Sequence, residues 1–255
     1  MVPDPALAAP PSAGDSVRDD AHSLIDSALF RPVRSGNGFE DTVARLLQTI
    51  RLGIVAPGEA LPAERELAAR FSVSRDTVRE AIRELTGAGY LLSKRGRYGG
   101  TFVSEVLPAA SGSDAPLDPA EIEDVLGLRE ILELGAVRAV AAKALSAADR
   151  DLLWTRLGAT ASASVDDYRR HDSLLHLTIG ELSGTPSLVP LLADNRSRVN
   201  DMLDNIPLLG PNIEHSNQQH EAIVVAILTG DPKRAADAMH EHLAGSAALL
   251  RGFLS

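Results

Sequence analysis

The stretch Leu61–Val103, LPAERELAARFSVSRDTVREAIRELTGAGYLLSKRGRYGGTFV, decides how the rest of the chain is read. Glu64 to Arg70 has the pattern of a short helix with Leu67 and Ala68 inward, broken at Phe71-Ser72-Val73. A second helix starts at Ser74, whose hydroxyl can cap free backbone N–H groups of the first turn. Along it Val78, Ala81, Ile82 and Leu85 follow the i, i+3, i+4, i+7 rule and are expected to bury, while Arg75, Arg79 and Arg83 lie four residues apart on the other face. Two short helices joined by a tight turn, the second with a basic face, form a helix-turn-helix whose second helix enters the major groove. Arginine suits that place because its planar fork donates two parallel hydrogen bonds to guanine O6 and N7. A solvated face in which Arg79 pairs with Asp76 or Glu80 is the alternative these residues leave open.

Outward from the second helix, Tyr90-Leu91-Leu92-Ser93 and Tyr98-Gly99-Gly100-Thr101-Phe102-Val103 are β-prone runs around the tip Lys94-Arg95-Gly96-Arg97. A cationic tip beside a basic helix suits phosphates or an adjacent minor groove, so the unit reads as a winged helix. The runs at 61–68, 73–81 and 95–103 resemble the DNA-binding domain of GntR-family transcriptional regulators. The resemblance implies that Arg65, Ser74, Arg75, Thr77, Arg79, Arg95 and Gly96 contact DNA.

At 255 residues the chain has room for two domains, each with its own core. It has no cysteine, which excludes disulfides and thiolate metal sites and fits a reducing cytoplasm. The N-terminal run lacks a basic start followed by an apolar core, and no segment approaches the roughly 18 apolar residues of a membrane span, so a cytoplasmic protein with no membrane association is expected. The formal net charge of −10 is unevenly spread: residues 39–103 hold ten Arg and Lys against eight Asp and Glu, leaving 15 against 27 elsewhere. That asymmetry points to a DNA-facing module on an acidic remainder.

Residues 1 to 38, rich in Pro, Ala, Ser and Asp, are expected to be a mobile tail, with Leu24-Ile25 and Ala28-Leu29-Phe30 able to pack on the body. Val43, Leu46, Leu47 and Ile50 mark an amphipathic helix from Phe39 to Leu52, so the winged-helix domain spans 39–103. Residues 104–117 have the Pro, Ser and Gly content of an exposed linker. Beyond it, helix starts recur at Asp118-Pro119, Ser146 with Asp149, Thr185-Pro186 and Asp231-Pro232, so residues 118–255 are expected to form an all-α domain of six or seven helices. The fold class is mainly α, an N-terminal winged helix-turn-helix with a small β-hairpin wing followed by an all-α helical bundle.

The chemistry of the second domain lies in one aspartate and three histidines. Between Val165 and Ser183, Tyr168, Leu175, Ile179 and Leu182 define a buried seam on which Asp172 falls, and His176 follows one helical turn later. His220 aligns with Ile223, Val224 and Ile227, and His242 with Met239, Ser246 and Leu249, whereas His240 sits on the outer side of its helix. Inward imidazole and carboxylate groups suit a divalent metal ion such as zinc, nickel or manganese, with positions left open for water or ligand. Histidines that simply hydrogen-bond within the bundle are the competing reading, and spacing alone leaves both standing.

Residues from about Glu121 onward resemble the FCD domain, the all-α effector-binding domain of the FadR subfamily of GntR regulators, through Asp124 to Glu133, Asp172-Ser173-Leu174-Leu175-His176, His220-Glu221-Ala222-Ile223, Gly230-Asp231 and Ala238 to Leu243. This resemblance implies Asp172, His176, His220 and His242 as metal ligands. Leu175, where Phe is common, and Thr185, where Asn is common, depart from the pattern without touching that set. It further implies a small organic-acid effector, with Arg129, Arg196, Arg198 and Asn200 as candidates for the organic part of the pocket. Arg129 with Glu133 can equally be an i, i+4 pair, and Arg196 with Arg198 a solvated face. The function expected is a homodimeric, non-enzymatic transcriptional repressor that binds palindromic double-stranded operator DNA under control of a carboxylate at the metal site. A metal-independent regulator responding to acyl-CoA and a metal-dependent enzyme fused to a DNA-binding domain are the alternatives.

Overall fold

The computed structural model describes Phe30 and residues 38–96, 99–108, 118–206 and 210–254. The remainder of the expected tail, the wing-tip residues Arg97 and Tyr98, and most of the expected linker lie outside the described residues. The head consists of α1 (Gly38–Arg51), α2 (Glu64–Phe71), α3 (Arg75–Gly87), β1 (Leu91–Lys94) and β2 (Gly100–Val103). The second domain contains α4 (Pro119–Ala141), α5 (Ala147–Ala161), α6 (Tyr168–Leu182), α7 (Leu188–Leu203), α8 (Gly210–Leu228) and α9 (Pro232–Leu254). Among the described residues no helix is long and apolar enough to cross a membrane.

Local chemistry accounts for the head. Ser72 takes the left-handed conformation, φ 56°, and its N–H returns to the carbonyls of Ala68 and Ala69, which stops α2 and sets the angle to the next helix. Ser74 caps α3 by accepting a hydrogen bond from the Thr77 N–H at 3.0 Å. Val78, Ala81, Ile82 and Leu85 then bury against Leu46 and Ile50 of α1, Leu67 and Phe71 of α2, and Leu91 and Val103 of the wing. The two strands pair antiparallel from Leu91 with Val103 to Lys94 with Gly100. Gly96 closes the turn at φ +109°, a conformation that side chains strongly disfavour.

Phe30, from the apolar patch expected to pack on the body, is buried against Phe71 at 5.5 Å between ring centroids, with the Arg70 guanidinium over its ring. Ser104, expected in an exposed linker, is buried instead: its N–H bonds to Tyr90 O and its hydroxyl to Gly89 O, which ties the chain leaving β2 to the end of α3.

The second domain is a bundle in which α4 is flanked by α7 and α9, with α6 and α8 closing the interior. Asp118 and Ser146 cap α4 and α5, the latter through a reciprocal capping box with Asp149. The start expected at Thr185-Pro186 falls later, at Leu188, because Thr185–Ser187 first make a turn in which Leu188 N bonds to Thr185 O. Leu52 and Ile54, just beyond α1, bury in the core of this second domain. Gly53 between them sits at φ +71° against Arg170, whose side chain would overlap any Cβ placed there. Arg45 to Asp194 at 2.9 Å and Arg51 to Asp201 at 2.8 Å complete the docking of α1 on α7.

Candidate functional site

Four side chains from three helices converge in the bundle. Asp172 and His176 are one turn apart on α6, His220 projects from α8 and His242 from α9, and one ligand atom from each lies within 4.8 Å of all the others. His220 Nε2 is 3.2 Å from Asp172 Oδ1 and 3.3 Å from His242 Nε2, while His176 Nε2 is 3.7 Å from the same carboxylate oxygen. All three imidazoles are buried.

What lies behind the rings decides which nitrogen faces inward. His176 Nδ1 bonds to Glu133 Oε2, a carboxylate that can only accept, so the proton sits on Nδ1 and Nε2 carries the lone pair. His242 Nδ1 faces the Gln219 carbonyl oxygen at 3.2 Å, and the Gln219 amide is held by His215. That turns His242 Nε2 inward, toward His220 Nε2 at 3.3 Å. His176 Nε2 is buried with no hydrogen-bond partner. Buried imidazole nitrogens beside a carboxylate, with the His176 and His242 rings oriented by outer acceptors, match the donor set of a divalent cation.

The electrostatics agree with this fit. Burial pushes the Asp172 carboxyl up, but Arg196, His176 and His220 outweigh it and hold the group well below its ordinary value. Burial, reinforced by His220 and His176, pushes the His242 imidazole well below its usual range, and burial also lowers His176 against the pull of Glu133. Burial works against ionised Glu133 too, yet His176 and Arg129 keep it ionised. The site therefore sets two carboxylates and two guanidiniums around three buried imidazoles.

A cavity of about 70 Å³ opens on this cluster, with Asp172 and His242 in its wall, Arg129 and Arg169 supplying positive charge, and Tyr168 and Ser216 supplying hydroxyls. One water needs about 10–15 Å³ of such space, so the cavity suits a molecule of a few heavy atoms.

The four effector candidates separate. Arg129 lines the cavity, fixed by Glu133 at 3.1 Å and Ser246 at 2.7 Å; it is an i, i+4 pair, but a buried one. Arg196 is not on a solvated face: it is fully buried and bonds to Asp172 from behind. Arg198 points away, to Glu121 and Asp124 at the surface, because two residues along a helix turn a side chain through about 200°. Asn200 shares the Arg196 side of α7, yet it donates to Ser173 Oγ and lines the cleft between head and bundle instead of the cavity. Gln219 and Ser216 were not singled out from sequence, Tyr168 was named only in a buried seam, and Glu133 only as a partner of Arg129 and in the family resemblance. Glu133 lies on α4, far along the chain from His176, and no local pattern marks it as the acceptor that orients that ring.

In the head, Arg65, Ser74, Arg75 and Arg79 are exposed along α2 and the start of α3, with Thr77 half-buried beside them and Arg95 and Gly96 exposed at the wing. Arg79 is shared between Asp76 at 2.9 Å and Glu64 at 3.1 Å, and Arg83 pairs with Glu80. The solvated-face pairing is therefore present, on the same helix face that carries Arg75, Arg79 and Arg83. These pairs are exposed and weak, so a phosphate or base can replace the carboxylate.

A winged helix docked on a helical bundle with a small cavity beside a His and Asp cluster defines a ligand-responsive DNA-binding regulator. The chain belongs to the GntR family of bacterial regulatory proteins, whose family pattern matches residues 39–103, and the FCD domain pattern matches residues 124–245. It is a transcriptional regulator with an FCD effector domain. It is 31% identical over 227 residues to the "Putative L-lactate dehydrogenase operon regulatory protein" of Escherichia coli K12, covering 84% of this chain and 86% of the relative. It is 32% identical over 243 residues to the HTH-type transcriptional repressor NanR of Cronobacter sakazakii, covering 90% of this chain and 92% of that one. Among solved structures, E. coli McbR/YncC superposes with a TM-score of 0.53 at 19% identity over 84% of this chain and 97% of that chain, a likeness of fold.

Proposed function

We propose that this chain is a cytoplasmic, homodimeric repressor of the FadR subfamily. It releases a palindromic operator when a small carboxylate enters the cavity beside a divalent metal ion (zinc, nickel or manganese). The observation that carries this reading is the convergence of Asp172, His176, His220 and His242, with the three Nε2 atoms turned inward toward the Asp172 carboxylate. These four residues would hold the ion, which when bound supplies a Lewis-acidic anchor for a carboxylate oxygen. Arg129 and Arg169 then orient the remainder of an anion, and Tyr168 and Ser216 hydrogen-bond its polar groups. The small volume of the cavity argues against an acyl chain, and the two relatives named for repression or for a lactate dehydrogenase operon favour a repressor responding to a carboxylate.

The DNA side of the proposal assigns base and phosphate contacts to Arg65, Ser74, Arg75, Thr77, Arg79, Arg95 and Gly96. Coupling runs through α7, whose Arg196 grips Asp172 on one side while its Asp194 and Asp201 hold Arg45 and Arg51 of the head on the other. A ligand that prefers one position of α7 shifts the head by as much as it discriminates between positions. The test is metal analysis of the purified protein together with a thermal-shift series of small mono-, di- and hydroxycarboxylates on metal-loaded and chelated protein. An acid that raises the melting temperature only of the loaded form, and that lowers operator affinity, is the expected result. Indifference to chelation and to every acid would refute the metal and the effector together.

A further inference from the structure

Three consecutive residues at the start of α6 stand between the cavity beside the metal cluster and the cleft between bundle and head. Tyr168 lines the cavity, Arg170 lines the cleft, and Arg169 lines both. The cleft, about 860 Å³, is walled on its far side by α1 of the head and by the chain leaving β2. Arg169 is therefore a single side chain with one surface toward the effector cavity and another toward the head.

Most of its donors are spent on the end of α7. Arg169 Nη2 donates to Leu203 O at 2.6 Å and Ile206 O at 3.4 Å, and Nε stands 3.1 Å from Asp204 Oδ1. A guanidinium at the carbonyl end of a helix is held there by the dipole, here with the charge of Asp204 added. Among the described residues Nη1 makes no hydrogen bond, which leaves it for an anion.

The charges continue into the head. Asp204 feels both Arg169 and Arg51, and Asp201, three residues earlier, meets Arg51 Nη1 at 2.8 Å. Arg51 Nη2 reaches Tyr90 Oη at 3.3 Å. Tyr90 joins the two DNA-reading parts, since its N–H bonds to Leu85 O in the last turn of α3 and its carbonyl accepts from Ser104 N after β2. Base and acid thus alternate from the cavity to the root of the wing. Burial pushes Asp204 and Asp201 above their ordinary range against the pull of these guanidiniums. A carboxylate so placed is costly without a cation and takes another when its first is withdrawn.

We infer that Arg169 is the positioning residue through which an anion in the cavity acts on the DNA-reading head. This role rests on the effector reading of the cavity and gives that reading its route to DNA. An anion that takes Arg169 draws it off Asp204, Asp204 turns to Arg51, and Arg51 loosens from Tyr90. The end of α3 and the root of the wing then shift together, because both are bonded to the Tyr90 backbone.

The test uses the full-length chain with no acid added, by fluorescence anisotropy on the palindrome that wild type selects from a random duplex pool. Arg169→Met removes the charge that an anion would mask, and is expected to weaken operator binding at least about fivefold, the lower end of coupling between sites. Asp204→Asn alone stays within about twofold of wild type, and Arg169→Met/Asp204→Asn returns to that level, because no carboxylate remains to draw Arg51 away. A purely structural loss of the bonds to Leu203 O and Ile206 O would not be repaired by Asp204→Asn. Lys233→Met, which removes an exposed charge on α9, is the control, and circular dichroism checks the helicity of every variant. Wild-type affinity in Arg169→Met, or a double variant no better than the single one, would overturn this route and leave the effector reading to the acid screen. Failure of that screen would in turn leave these ligand-free affinities as they are, so the two readings fall separately.

Discussion

Arg196→Met tests the electrostatic account of the site most directly. Arg196 is fully buried and bonds to Asp172, with Glu133 3.7 Å from its other terminal nitrogen. Methionine replaces the length of the side chain without its charge, so packing is nearly kept while Asp172 loses its main partner. Removing one member of a buried ion pair costs about 3–5 kcal/mol because the remaining charge is left uncompensated. The Asp172 side chain keeps 13% exposure and Arg129 still serves Glu133, so the lower end, about 3 kcal/mol, applies. For a domain the size of residues 118–254 that corresponds to roughly 10 °C in melting temperature. The assay is thermal and urea unfolding in chelator, repeated with added zinc. A cation held by Asp172 supplies the missing positive charge, so the gap between loaded and chelated protein should widen in the variant. The double variant Asp172→Asn/Arg196→Met should be more stable in chelator than Arg196→Met, since no lone charge remains. If Arg196→Met melts within about 2 °C of wild type in chelator, where several kcal/mol of uncompensated charge were expected, the pair does not balance charge as described.

Three further outcomes follow from the same structure. The imidazoles of His242 and His176 are lowered in the fold, so the unfolded chain binds their protons first; stability of the chelated protein is complete above about pH 6.5 and falls below it, by up to about 1.4 kcal/mol per pH unit for each ring, readable as urea midpoints at pH 7.5, 6.5 and 5.5. A flat profile across that range would mean the rings are not buried neutral. Arg75→Ala should weaken specific operator binding by about 1–3 kcal/mol in fluorescence anisotropy if Arg75 reads a base bidentately, and unchanged affinity would remove it from the contact surface. Asp194→Ala with Asp201→Ala should cost only about 0.2–1 kcal/mol per pair in stability, yet should blunt the effect of the effector on operator affinity; an undiminished response would place the coupling elsewhere.

Local pattern carried a large part of this reading. Ser74 as a cap, the Val78–Leu85 stripe, the Ser146 capping box and the one-turn spacing of Asp172 and His176 all depend on residues a few positions apart, and for such features the periodicity of a helix decides which face a side chain takes. The histidines were legible for that reason, since each shares a stripe with aliphatic residues. Arg196, Arg198 and Asn200 were distinguishable from one another only through their surroundings. Periodicity separates Arg198 from Arg196 by half a turn, but which of the two faces inward depends on where α7 lies against α4 and α6.

The sequence by itself determined the head, its wing, the all-α class of the second domain and the four side chains that turn inward, because each follows from short-range spacing or from a run of residues long enough to resemble a family. Tertiary structure alone decided that Glu133 and Gln219 set acceptor oxygens against the outer nitrogens of two histidines, that Arg196 stands behind Asp172, and that Asn200 faces the cleft. Those relations join α4, α6, α7, α8 and α9 across long separations in sequence. A helix face is specified by its own residues, whereas the group that meets it is specified only when the helices pack.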